Sequence, residues 1–218
     1  MTGSFDWMDW ESARERMVAR QIAARGVRDP AVLAAMRSVP RHEFVNPEFL
    51  DQAYADRPLP LGAGQTISQP YIVAYMTEAL ELGPDDRVLE VGAGSAYQTA
   101  VLAEIAREVY SIEIVAPLAR RAGRKLRELG YHNVRLICAD GHLGWPRAAP
   151  FDAILLTAAP ATIPDALVGQ LAMDGRLVAP VGPGFDQIVR RLRKTPRGVV
   201  SEELIGVRFV PMTGGYQG

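Results

Sequence analysis

The chain has 218 residues, 48% of them hydrophobic and 22% charged, with a formal net charge of -1. That length sits at the upper end of one domain with a sizeable core, and near-neutral charge exerts no global pull on nucleic acid or anionic membrane. A single cysteine, Cys138, and three scattered histidines, His42, His132 and His142, provide neither an internal disulfide nor a metal-ligand spacing, so no metal is expected.

The opening MTGSFDWMDWE carries acids among aromatics where a secretory signal would carry a basic stretch and an apolar run. The most apolar stretch, Phe151 to Ala159, is too short to span a bilayer. A cytoplasmic protein is the expectation. Trp7 and Trp10 suit a free arm, a helix extension or a partner contact, and the sequence leaves these open.

Ser12 to Arg25 has helical composition ending at Gly26, and Asp29-Pro30 is an N-cap followed by proline at the first helical position, opening a helix through Ser38. From Arg41 to Gln69 the period is lost among Pro47, Pro58, Pro60, Gly62 and Gly64, which predicts a short helix and an ordered loop. Loops this long inside a domain are often functional. Pro70 starts a helix ending at Gly83-Pro84.

Beyond that point strands and helices alternate. Strands are predicted at 87–91, 109–114, 134–138, 151–157 and 175–181, and helices at 96–107, 116–129 and 164–172. Alternation of this kind implies an α/β fold with a mostly parallel sheet and helices on both faces. Runs at 187–193 and 199–210 flank Pro196-Arg197-Gly198, a hairpin signal, so an antiparallel pair should finish the sheet. The whole reads as one domain over 1–218, divided near Gly83 into a helical and substrate-loop part (1–83) and a cofactor-binding core with C-terminal hairpin (84–218).

The segment VLEVGAGSAYQTA places Gly92 and Gly94 after the first core strand and before a helix, where backbone approaches a ligand closely. A dinucleotide fingerprint needs a third glycine three positions after Gly94; Tyr97 stands there, which weakens a NAD-dependent oxidoreductase reading. Glu90 before the first glycine, Glu113 ending the next strand and Asp140 after the following one suit a donor-rich, cationic ligand such as S-adenosylmethionine. Glu113 is placed to accept ribose hydroxyls, and Asp140-Gly141 falls where the adenine edge should lie. Any one of these acids alone reads as a solvated or helix-capping residue; three in register favour the ligand.

On these residues the chain resembles the Rossmann-like class I methyltransferases, whose loop runs E/D-x-G-x-G-x-G. It departs from them at Ala96, which stands in place of the last glycine. The segments VPRHEFV (39–45), LPLGAGQTISQP (59–70), EVGAGSAYQTA (90–100), PFDAILLTAA (150–159) and VRFVPMTGG (207–215) together resemble the protein-L-isoaspartate O-methyltransferases, from about Arg14 to Thr213.

The resemblance implies methyl transfer from S-adenosylmethionine, leaving S-adenosylhomocysteine, to the α-carboxylate of isoaspartyl residues in damaged proteins, followed by succinimide closure and partial return to aspartate. It implies Ser68 as the active-site serine. It further carries cofactor or substrate contact to Gln65, Thr66 and Ile67, and to Ser95, Ile114, Gly141 and Thr213.

The residues suit this chemistry. A carboxylate is ionised near neutral pH and needs no general base, so the protein must chiefly hold it in line with the methyl group. Thr66 and Ser68 offer hydroxyl donors for that. Read alone, Ser68 or Gln69 is simply a cap for the helix at Pro70, and only the resemblance reverses that order. An extended peptide should cross the 58–70 loop and the tail from Val210 to Thr213.

Two alternatives accompany this reading: an aspartyl methyltransferase for a dedicated biosynthetic peptide, and a non-catalytic S-adenosylmethionine binder prompted by Ala96. Arg190, Arg191, Arg193, Lys194 and Arg197, on the terminal hairpin, read as a solvated edge strand protected by charge. Arg120, Arg121, Arg124, Lys125 and Arg127 read as the solvent face of a helix, and Cys138 as core. No nucleic-acid or membrane partner is expected, and a monomer is.

Overall fold

The computed structural model describes residues 9–184 and 186–215. Its centre is a seven-stranded sheet built from β3 (Arg87–Val91), β4 (Glu108–Glu113), β5 (Val134–Cys138), β6 (Phe151–Leu156), β7 (Leu171–Val181), β8 (Gln187–Thr195) and β9 (Gly198–Val207), in the order β5-β4-β3-β6-β7-β8-β9. The pairs from β5 to β7 are parallel, and β7-β8 and β8-β9 are antiparallel. Helices α4 (Tyr97–Ala103), α5 (Ala116–Glu128) and α6 (Asp165–Gly169) make the crossovers, preceded by α3 (Pro70–Ala79).

Both sheet faces are covered, so the central strands carry apolar residues on both faces instead of alternating. Val88 packs with Leu102, Val109, Ala153 and Val178 beneath Met76 and Leu80 of α3. Its neighbour Leu89 packs on the opposite face with Tyr110, Ile154 and Leu177 against Leu167 of α6. Because β4 lies on one side of β3 and β6 on the other, the strand order reverses at β3. The crevice outside its carboxyl end is where open α/β sheets bind ligands.

The N-terminal part begins with α1 (Trp10–Met17), continued by a π turn (Val18–Ile22) and a 3-10 turn (Ala23–Arg25) that Gly26 closes in the left-handed region. In α2 (Pro30–Ser38), Asp29 Oδ1 accepts the N–H groups of Ala31 and Val32, the cap expected from sequence. Trp10 stacks on His42 at 4.5 Å, and His42 Nδ1 meets the Tyr54 hydroxyl at 2.8 Å; Trp7 lies outside the described residues.

Five expectations need correction. The supposed ordered loop contains a β-hairpin, β1 (Leu59–Gly62) with β2 (Gln65–Ile67), turned by Gly62-Ala63-Gly64 with positive φ at all three positions. Strands of three and four residues are too short for periodicity to reveal. The helix expected at 164–172 stops at Gly169 because Leu171 is already paired with Phe151 across the sheet.

The helix expected at 96–107 ends at Ala103. Cys138 is exposed, because it ends β5, an edge strand whose residues are only partly covered.

The first charged run does not sit on an edge strand: β8 is paired on both sides, by β7 and β9, and its arginines find definite partners. On β8, Arg190 pairs with Glu203, Arg191 with Glu202 and Glu81, and Arg193 with Glu81, all at 2.6–2.7 Å. On α5, Leu118, Ala119, Ala122 and Leu126 are buried. Arg121 donates to Asn46 Oδ1 and Lys125 pairs with Glu43, tying the helix to the N-terminal part. Among the described residues no helix is long and apolar enough to cross a membrane.

Candidate active site

A cavity of about 1140 Å³ opens at the carboxyl end of β3 and β4, between the β1-β2 hairpin, the glycine loop and residues 205–213. The loop leaves β3 at Val91 and turns through Gly92 (φ +104°) and Gly94 (φ +52°). Only glycine suits Gly92: its conformation is left-handed, and a Cβ there would strike the Thr157 hydroxyl. That hydroxyl donates to the Val91 carbonyl at 3.0 Å and also to the Gly92 carbonyl, clamping the loop from the end of β6.

Of the three acids expected as cofactor ligands, Glu113 lines the cavity. It is 5% exposed, and its carboxylate holds the loop: Oε2 accepts the Gly94 N–H and Oε1 the Val115 N–H, each at 2.8 Å. One hydrogen bond per oxygen from the protein leaves acceptor capacity on both. Ile114 and Gly141 continue the wall, and a Cβ on Gly141 would strike Val91 Cγ1.

Glu90 and Asp140, expected beside Glu113 as cofactor ligands, do not line the cavity. Glu90 is completely buried behind the loop, where Oε2 accepts the hydroxyls of Thr99 (2.5 Å) and Ser111 (2.6 Å) and Oε1 has no partner among the described residues. Burial pushes its carboxyl up to about 7.

Asp140 turns to the C-terminal tail. Its Oδ1 accepts the His142 N–H and contacts His142 Nδ1, both at 2.9 Å, and Oδ2 accepts the Gly215 N–H at 2.7 Å. Burial raises this carboxyl, but the His142 and Gly215 hydrogen bonds outweigh it and hold the group below its ordinary value. The sequence separates these acids by strand position only; which way each side chain turns depends on the packing around it.

Ala96 caps α4 with φ +72°, so alanine adopts the conformation a glycine would ordinarily supply. Its methyl group is fully buried and away from the cavity wall. Ala96 therefore gives no reason to expect a defective site. Replacing it by glycine trades relief of left-handed strain against lost methyl burial, each about 1 kcal/mol. The Ala96→Gly protein should keep its S-adenosylhomocysteine Kd within about twofold and its stability within about 1 kcal/mol, as read by calorimetry and thermal melts. A tenfold change in Kd would show that residue 96 shapes the ligand site.

Gln65, Thr66, Ile67 and Ser68 line the cavity from the hairpin side, with Ile67 buried beneath. The capping role for Ser68 fails: the N-cap of α3 is Gln69, which makes no side-chain capping bond and instead donates to the Asp56 carbonyl at 3.0 Å. Neither the Ser68 nor the Thr66 hydroxyl has a hydrogen-bond partner among the described residues, and both residues border the cavity. Ser95 also lines it, with its hydroxyl accepting the Tyr97 N–H at 3.1 Å.

On the opposite side Val210 and Thr213 belong to a tail held against Ala159, whose N–H donates to the Val210 carbonyl at 2.9 Å and whose carbonyl accepts the Met212 N–H at 2.8 Å. Sequence reasoning missed Thr157, although its place at the carboxyl end of a central strand was a usable signal. It also missed Arg25 at the rim, paired with Asp56 at 2.9 Å and lying 3.5 Å over the Tyr71 ring. Nothing in the sequence marks that residue. Among the described residues no group of three or more His, Cys, Asp or Glu is arranged to hold a metal.

The residues present fit a nucleoside-bearing cation. Glu113 supplies a carboxylate with spare acceptors, the glycine loop supplies close backbone approach, and the cavity is larger than a nucleoside alone requires.

The model of the family described as protein-L-isoaspartate(D-aspartate) O-methyltransferase matches residues 12–217. The protein-L-isoaspartate O-methyltransferase of Gloeobacter violaceus is 57% identical over 90% of this chain and 97% of its own. One from Pelobacter propionicus is 54% identical over 94% and 92%. Among solved structures, a protein-L-isoaspartate O-methyltransferase superposes with a TM-score of 0.84 at 28% identity, over 92% of this chain and 66% of that longer one. A Plasmodium falciparum structure in complex with S-adenosyl-L-homocysteine shares the fold, with a TM-score of 0.79 at 24% identity over 94% of this chain and 98% of its own.

Proposed function

The chain belongs to the protein-L-isoaspartate(D-aspartate) O-methyltransferase family, and from that premise we propose how its residues divide the work. The protein transfers a methyl group from S-adenosylmethionine to the free α-carboxylate of L-isoaspartyl residues, starting their succinimide-mediated repair.

Bound S-adenosylmethionine supplies an electrophilic methyl group on a sulfonium. Glu113, with the backbone of Gly92, Gly94 and Ser95, holds the nucleoside and methionine parts, while Ile114 and Gly141 flank the base. Support comes from the left-handed Gly92, which a Cβ would drive into Thr157, and from the spare acceptors of Glu113. Gln65 and Ile67 close the cofactor from the hairpin.

Thr66 and Ser68 orient the substrate carboxylate as hydroxyl donors. A carboxylate held there would be able to accept the methyl group that bound S-adenosylmethionine would supply, leaving S-adenosylhomocysteine, and no residue need remove a proton because the nucleophile is already an anion. Val210 and Thr213 form the far wall for the extended peptide. The single observation that carries this division is the pair of hydroxyls, Thr66 and Ser68, that have no hydrogen-bond partner among the described residues and line the same cavity as Glu113.

The test is transfer of labelled methyl to an isoaspartyl peptide and to its normal aspartyl twin. Wild type should label only the isoaspartyl peptide. Ser68→Ala should lose about 10- to 100-fold in kcat/KM, the worth of about 1.4 to 2.7 kcal/mol of orientation by a hydrogen bond to a charged group, with S-adenosylhomocysteine affinity within about threefold. Undiminished turnover by Ser68→Ala would remove the serine from the mechanism, and labelling of the aspartyl twin would point to a dedicated-peptide methyltransferase.

We also infer a single methyltransferase domain, supported by a core cluster that joins Met17 and Val32 to Tyr97 and Ala122 across Gly83. A monomer in the cytoplasm, without nucleic-acid partners, accords with the neutralised arginines of β8 and the lone free thiol. Light scattering of the purified protein tests the first of these.

A further inference from the structure

Residues 208–213 form the cavity wall facing the hairpin, yet they belong to no continuous strand. The β8-β9 ladder ends at the pair Gln187 and Val207, and the next recorded pairing is the isolated bridge between Ala159 and Pro211. Between those points the backbone must be fixed by something other than sheet.

Gln187 does this with its side chain. It is 3% exposed, a place where an apolar residue is the ordinary occupant because a buried amide without partners is costly. Every polar atom of the amide is engaged with backbone. Its Oε1 accepts the Phe209 N–H at 2.6 Å, and Nε2 donates to the Phe209 carbonyl at 3.1 Å and to the Gly184 carbonyl at 2.8 Å. The amide thus exchanges two hydrogen bonds with Phe209 as a facing strand residue would, extending the ladder one rung beyond its end. Val210 and Pro211 follow directly, so the height of the wall is set at Phe209 on one side and at Ala159 on the other.

We propose that Gln187 is a positioning residue for methyl transfer, acting through Phe209 to set Val210 and Thr213 against the peptide that carries the reacting carboxylate. This rests on the reading of residues 210–213 as substrate wall. Gln187 itself borders the cavity, but all of its amide hydrogen bonds go to backbone, so its role is to position the wall and not to contact substrate.

Two variants test it in the intact protein. Gln187→Met keeps the volume and removes all three hydrogen bonds. Displacement of a reacting group by about 1 Å can cost on the order of 100-fold, so kcat/KM for the isoaspartyl peptide should fall by about that factor. The Kd for S-adenosylhomocysteine should hold within about threefold, because the glycine loop and Glu113 lie elsewhere on the wall.

Gln187→Glu turns the donor into an oxygen facing two carbonyls, and protonation returns one O–H donor. Its activity relative to wild type should therefore recover as pH falls from about 8 to about 6. A residue that only filled space would give no such profile.

Wild-type kinetics for both variants, or parallel loss of cofactor affinity and melting temperature without the pH-dependent recovery, would overturn the proposal. Val210→Asp separates the two layers. If it raises the peptide KM while the Gln187 variants behave as wild type, only the positioning role falls; if it too changes nothing, the substrate-wall reading falls with it.

Discussion

Replacing Glu113 by alanine is expected to raise the Kd for S-adenosylhomocysteine by about 100-fold or more, the largest effect of any single side chain in this site. Two losses combine. The carboxylate accepts the Gly94 and Val115 N–H groups at 2.8 Å each, so its removal leaves the glycine loop without its anchor. It also removes the acceptors facing the nucleoside, and a hydrogen bond to a charged group is worth about 1.5–3 kcal/mol.

Glu113→Gln should fall between. The amide keeps one acceptor but sets an NH2 against a loop N–H, so about a tenfold loss is expected. Titration calorimetry on folded protein reads both variants. An alanine variant that binds within threefold of wild type would mean the loop holds its shape unaided and the nucleoside contacts lie elsewhere.

The second large effect concerns stability and pH. Glu90 is completely buried, with one oxygen on two hydroxyls and the other unpartnered, and burial pushes its carboxyl from 4.5 up to about 7. Below pH 4.5 it is protonated in folded and unfolded chains alike and its stabilising contribution is fully present. Between 4.5 and about 7 the unfolded chain gives up this proton while the folded chain keeps it, so stability from this group is lost as pH rises through that window.

The displacement is worth about 3 kcal/mol. Glu90→Gln cannot ionise, and its amide nitrogen at the unpartnered position adds a cost that does not vary with pH. The melting temperature of the variant minus that of wild type should therefore rise by roughly 5 to 10 °C between about pH 5 and about pH 8. Taking the difference cancels the opposite trends of Asp140, Glu81 and Glu108, whose carboxyls lie below their ordinary values. A constant difference across that range would mean that Glu90 titrates like an exposed acid, with water reaching its free oxygen.

Much of this protein is written locally. Asp29-Pro30 opens α2 as a cap and N1 proline do anywhere, and the glycine pair after an apolar strand marks the loop at Gly92. Central strands covered on both faces carry apolar residues on both, so the runs in β3 and β6 were legible without a partner in view. The QTISQP segment singled out the hairpin residues that the cavity gathers, through resemblance and not through period.

The tertiary structure decided what depends on partners distant in sequence. The hairpin Leu59–Ile67 is too short to carry a period, and α6 stops where Leu171 meets Phe151. Three acids lie near the carboxyl ends of neighbouring strands, yet of these only Glu113 turns to the cavity; Glu90 is taken by Thr99 and Ser111, and Asp140 by a glycine 75 residues away. Gln187 reads in the sequence as an ordinary polar residue beginning a strand, and its link to Phe209 exists only once β8 and β9 are paired. A sequence specifies backbone preference and the chemistry each side chain carries. Which acceptor meets which donor is settled by packing, because the cost of an unpaired buried polar group is fixed by everything that surrounds it.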